Sequence, residues 1–245
     1  MVVRSPAEFA AAVVAHPFGD FAFEPEALSS AATCVAEAGL LVVGEPHGVR
    51  ETPSVLYALA SALGTRAVAL EWSHEEMEGP LQEFLRSGSF DFDRLWSLPA
   101  SAEFFCGDGR IAAGHFALLR RLRREGRLDE VIAFDRLDPE PATDDWQVRD
   151  REMAERLLAE WDRRHPLLVI AGGFHAQLNA TEGETMAAHL ARELPGLQPA
   201  MLAYASGNSW SRGELHGVSG PVLEAPTILH LPEATPAVVP GSATS

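Results

Sequence analysis

Leu40-Leu41-Val42-Val43-Gly44-Glu45-Pro46-His47 decides the fold, because a short apolar run passes without a break into a turn carrying a carboxylate and an imidazole. Such a run, rich in Val and Leu, reads as a strand buried on both faces. Three more follow at 67–70, 131–134 and 167–171. Helical patterns occupy 53–63, 75–85, 112–125 and 145–164. Strands alternating with helices predict an α/β class, a single domain with a mainly parallel central sheet flanked by helices.

Local signals agree with that order. Asp144 and Asp145 offer an N-cap to the long helix, and Gly64 stands where the C′ residue of the 53–63 helix belongs. A further helix is expected at 184–193, stopped by Pro195, and a fifth strand at 198–205. The last ordered element is expected at 227–231, which sets the domain at 1–231. Residues 232–245, with three prolines among small side chains, are predicted to be a disordered tail. The stretch 87–110 is the least regular and is expected to form a cap or long loop beside the site.

Composition narrows the partners. The chain has 245 residues, 47% of them hydrophobic, with 19 Lys+Arg against 35 Asp+Glu and a net charge of −16. That balance repels a phosphate backbone, so nucleic acid is not an expected partner. No run approaches the length of a membrane helix, so no membrane partner is expected either. Two distant cysteines, Cys34 and Cys106, suggest neither a disulfide framework nor a thiolate zinc site. The amino-terminal segment is too interrupted for a secretory signal, and a cytoplasmic protein is the expectation.

The chemistry gathers where strands end. In open parallel sheets, ligands bind in the crevice outside the carboxyl ends of the strands. The first strand runs into Glu45 and His47, the second into Glu71 and then His74, the third into Asp135, and the fourth into Gly172 and His175. The pattern Gly-x-x-His occurs twice, at 44–47 and 172–175. Imidazole titrates near neutral pH, so His47 is a candidate general base toward water, oriented by Glu45 or Glu71. Alternatively, His47, Glu71 and His175 match the ligand set of a catalytic divalent metal. In the 145–164 helix, Trp146, Met153, Leu157 and Trp161 form a buried stripe into which Asp150 falls, with Arg149 on its flank. Arg149 is expected to pair with Glu45 or Glu71, to hold a substrate oxyanion, or to form a structural bridge to an Asp. His74, His115 and Asp135 are candidate pocket-lining residues. The run Arg120-Arg121-Leu122-Arg123-Arg124 reads as a solvated helix face.

The stretch Leu41-Val-Val-Gly-Glu-Pro-His47 with Ala67-Val-Ala-Leu-Glu71, and the block Arg149-Asp150-Arg-Glu-Met153-Ala-Glu followed by Leu167-Leu-Val-Ile-Ala-Gly-Gly-Phe-His175, resembles the superfamily of erythromycin esterases, Tiki and TraB-type proteins and ChaN-like proteins. The resemblance covers roughly residues 39–194. It implies a compact α/β fold with a polar cleft, and functional roles for Glu45, His47, Glu71, Arg149 and His175. Its members imply three chemistries: hydrolysis by histidine-activated water, metal-dependent proteolysis, and association with haem. Here the first motif, Gly-Glu-Pro-His, is one residue shorter than the Gly-Glu-Ala-Thr-His of the esterases. The tyrosines, Tyr57 and Tyr204, lie outside the shared motifs. The expectation is a hydrolase of an ester or amide bond in a small molecule or peptide, with His175 and Arg149 steadying the oxyanion. A haem-binding protein without turnover, or a lyase or cyclase using the same groups, is the alternative.

Overall fold

A computed structural model describes residues 1–136, 146–179, 183–219 and 225–241. The chain opens with a short strand β1 (Val2–Val3) and helices α1 (Pro6–Ala15) and α2 (Pro25–Ala38), after which the first apolar run forms β2 (Leu40–Glu45). Next come α3 (Thr52–Leu63), β3 (Ala67–Ser73), α4 (His74–Ser87), α5 (Phe92–Trp96), a 3-10 turn (Glu103–Phe105), α6 (Ala113–Arg124) and β4 (Glu130–Asp135). The second half holds α7 (Trp146–Glu160), β5 (Leu167–Gly172), α8 (Met186–Glu193), β6 (Ala200–Tyr204), β7 (Asn208–Ser211), β8 (Glu214–Gly217), β9 (Thr227–Leu231) and β10 (Val239–Pro240).

Six strands form one parallel sheet in the order β4-β3-β5-β2-β6-β9, so the α/β class with helices flanking a parallel sheet is correct. Every residue of β2, β3, β5 and β6 is buried, which is why these segments read as continuous apolar runs rather than alternating ones. A small hairpin, β7 with β8, stands apart from the sheet. Helix α7 stops at Glu160 rather than 164, because Arg163 takes a left-handed φ of 59° and Pro166 follows. Its expected cap, Asp144 and Asp145, lies outside the described residues.

The irregular stretch 87–110 is held down by rings. Phe9 of α1 meets Phe92, Trp96, Phe104 and Phe116 with centroids 5.3–6.0 Å apart, and Phe84 stacks on Phe90 at 4.1 Å. That packing fixes residues 103–110 against the sheet's carboxyl edge.

The predicted disordered tail needs correcting. Residues 232–241 are ordered: β10 pairs in parallel with β1, Val2 opposite Val239 and Val3 opposite Pro240, and Val239 is fully buried. Composition misled because a few backbone bonds and one buried valine, not an amphipathic pattern, dock this segment. No helix among the described residues is long and apolar enough to cross a membrane. Val239→Asp would place an unpaired carboxylate in that core, so urea denaturation should show a loss of ~2 kcal/mol or more, where a solvated tail would show none.

Candidate active site

Strand order builds the site. Because β5 lies between β2 and β3, the ends of these three strands are consecutive along the edge, and Glu45 is in register with Gly172. Residues more than a hundred positions apart therefore converge on the Glu71 carboxylate. His47 Nε2 lies 3.6 Å from Glu71 Oε2, and His175 Nε2 lies 3.7 Å from Glu71 Oε1. Each imidazole has a second carboxylate behind it. His47 Nδ1 is 3.1 Å from Glu45 Oε1, and His175 Nδ1 is 2.6 Å from Asp150 Oδ1. Asp150 in turn accepts the Met186 N–H at the start of α8 at 2.7 Å.

Backbone approach makes this packing feasible. Gly172 donates its N–H to Glu71 Oε2 at 2.6 Å, and a Cβ there would lie 2.9 Å from His47 Nε2. Gly48, at φ 75°, binds Gly109 O through its N–H, while its carbonyl accepts from Trp210 and Ala237. A Cβ at Gly48 would collide with the Trp210 carbonyl. The turn bearing His47 is thus tied to the segment before Arg110, to the hairpin and to the carboxyl-terminal segment.

Arginines complete the cluster. Arg149 binds Asp135 through two bonds of 2.9 and 2.5 Å and lies 3.6 Å from Glu71, with no contact to Glu45. The structural bridge to an Asp and the Glu71 pairing are therefore both present. Arg110 reaches Glu71 at 3.3 Å, Glu103 at 3.1 Å, Asp135 at 2.8 Å and Asp108 at 2.7 Å. Asp135 thus holds arginines and does not line the pocket. His115 is buried behind Glu45, with Nε2 3.4 Å from Oε2, and supports the site from beneath. His74 turns away to Glu78 and Glu160, at 3.3 and 3.5 Å, because it starts α4 beyond the bend of β3. Arg110, Glu103 and Asp108 were missed, since they sit in the stretch with no periodicity. Asp150, the carboxylate on the buried stripe of α7, was legible as buried, and the structure adds its pairing with His175.

Charge balance sets the protonation states. Burial disfavours a charge on His47, but Glu71 and Glu45 outweigh it and push its pKa up to about 10. Burial likewise opposes a charged His175, and Glu71 and Asp150 raise it nonetheless. Burial would neutralise Glu71, yet His175, Arg110 and His47 hold it well below the usual carboxylate range. Glu45 is held low against burial by His115 and His47. Glu103 goes the other way: burial, with Asp135 and Asp108 nearby, lifts it to about 8 in spite of Arg110. A divalent ion does not fit this set. Two guanidinium groups already face Glu71, at 3.3 and 3.6 Å, and His47, pushed up to about 10, holds a proton where a metal needs a lone pair. Among the described residues no group of three His, Cys, Asp or Glu side chains could hold a metal.

His47 opens onto a cleft of about 950 Å³, whose floor includes Asp108 and Arg110 and whose wall is the hairpin with Ser209, Arg212 and His216. Neither tyrosine faces it: Tyr204 is buried against Thr52, and Tyr57 bonds Glu125.

No family model matches the chain, and no curated protein matches it significantly. Among solved structures, a Bacillus cereus protein is similar over 97% of this chain and 100% of its own, at 10% identity and a TM-score of 0.63. A structure described as bacterial protein toxins is similar over 80% of this chain, at 14% identity and a TM-score of 0.50, and the chain spans 39% of it. These likenesses are of fold.

The protonation states give stability a pH dependence. The stabilisation from charged His47 is complete below its ordinary value of 6.5 and is lost as pH rises through about 10. Ionising Glu103 is disfavoured in the folded state, so its contribution falls from its ordinary 4.5 up to about 8. Urea-derived stability should therefore decline from about pH 5 to about pH 10. Glu103→Gln should flatten the part below pH 8.

Proposed function

We propose that this protein is a hydrolase of an ester or amide bond in a small molecule or peptide, with proton transfer centred on His47. One observation carries the reading: His47 is the imidazole at which the large cleft meets the buried charge cluster, and carboxylates flank both of its nitrogens. The resemblance to erythromycin esterases in the 41–47 and 67–71 stretches supports the same residues. The charge state changes the role expected of them. Held protonated at neutral pH, His47 enters the reaction as the proton donor, not the base.

Glu71 Oε1 is then the proton acceptor. It is buried and faced by Arg110, Arg149 and His175 at 3.3–3.7 Å without a hydrogen bond to any of them, which leaves a lone pair for a water admitted with the substrate. Water attacks the carbonyl carbon and gives its proton to Glu71, while His47 protonates the departing alcohol or amine. Return of the proton from Glu71 to His47, whose Nε2 lies 3.6 Å from the carboxylate's other oxygen, Oε2, restores the starting state. Arg110, Arg149 and His175 surround the same carboxylate oxygen at 3.3–3.7 Å and offset negative charge developing on the substrate.

A panel of ester and amide substrates tests this. His47→Ala should lose about 10²–10⁴-fold in kcat/KM on any substrate the wild type cleaves. Equal rates would end the assignment. The pH profile of kcat/KM should be flat through neutrality and fall above about 10, whereas a His47 base would give a limb rising toward that value. Gly172→Ala, whose methyl would meet His47 Nε2, should keep the fold by circular dichroism and lose about 10²-fold in kcat, the cost of a shift near 1 Å.

A further inference from the structure

A second cleft of about 510 Å³ lies between the end of α1, the last turn of α4 and the outer face of α6. Five arginines line it: Arg86 from α4 and Arg120, Arg121, Arg123 and Arg124 from α6. These are five of the chain's 19 basic side chains, in a protein that carries 35 acidic ones, and no Asp or Glu is among the lining residues. The solvated-face reading of the 120–124 run accounts for only part of this.

Three of the five have work within the protein. Arg123 donates to Leu85 O at the α4 carboxyl terminus, at 2.7 Å. Arg86 binds Glu83, and Arg121 binds Glu125 while lying over the rings of Tyr57 and Phe18, at 3.9 and 4.7 Å. Arg120 and Arg124 make no ion pair or hydrogen bond among the described residues. The Phe18 and Tyr57 rings hold Arg121 in place, so part of its ordering cost precedes any ligand. Val13, Val14, Phe18 and Ala117 supply an apolar wall beside the guanidinium groups.

We propose that this cleft is a binding site for a small organic molecule bearing a diphosphate or larger phosphate group. Guanidinium groups match phosphate oxygens in two-bond geometry, and several unneutralised cations favour a multiply charged anion over a single carboxylate. The volume suits a small molecule, within the range of ordinary ligand pockets, and is too confined for a nucleic-acid duplex. The apolar wall then faces the organic portion. The site stands independently of the hydrolase reading, since none of its residues belongs to the Glu71 cluster.

Titration calorimetry with sodium tripolyphosphate on the full chain tests it. Saturable binding at one equivalent is expected, weakening as salt is added. The Arg120→Ala/Arg124→Ala variant should bind at least about tenfold more weakly with an unchanged melting temperature, since both side chains lack protein partners. Absence of binding, or equal binding by variant and wild type, would overturn the proposal. A hexaglutamate peptide binding more tightly than tripolyphosphate would replace the phosphate class with an acidic polypeptide and overturn it as well.

Discussion

Burying the Glu71 carboxylate takes an ionised group out of water, a transfer that no protein tolerates without compensation. Here the compensation comes from four sides: the two imidazoles, Arg110 and Arg149, with the Gly172 amide as a direct donor. Each cation is then secured by a further carboxylate, Glu45 for His47, Asp150 for His175, and Asp135 for both arginines. Charges alternate outward from one oxygen pair. The strands and helices that carry them are consequently cross-linked by polar contacts as well as by the apolar core.

The parallel sheet makes this possible at small entropic cost. Placing β5 between β2 and β3 brings together groups that a sequential strand order would separate by a full inter-strand spacing. The glycines at the strand ends let backbone and ring approach closely, so polar hydrogens replace the water that Glu71 loses. Aromatic packing around Phe9 and Phe116 does the corresponding task for the segment that delivers Arg110.

How much of this could be read beforehand follows from what leaves a periodic trace. The buried strands did, because β2, β3, β4 and β5 are apolar with few exceptions, and their polar terminal residues pointed to Glu45, His47, Glu71 and His175. Asp135 stood out at a strand end and His115 near a helix start, but their buried positions depend on partners from other segments. His74 was misplaced because proximity to Glu71 in sequence does not survive the bend after β3. Arg110, Glu103 and Asp108 left no trace, since residues between 87 and 112 are positioned by ring contacts with α1 and α6. The ordered stretch to residue 241 was hidden for a similar reason: its docking uses main-chain groups of Gly48, Met1 and Val3, which carry no side-chain signature.

The peptide at Gly48 joins elements that would otherwise move separately. Its amide and carbonyl engage the residue preceding Arg110, the hairpin at Trp210 and the carboxyl-terminal segment at Ala237, one position from the imidazole that opens onto the cleft. A molecule pressing on the hairpin wall therefore strains the same knot of main chain that orients the proton-carrying ring. The wall of the cleft and the ring beside it thus share one main-chain linkage, so sequence drift in the hairpin would be felt at His47.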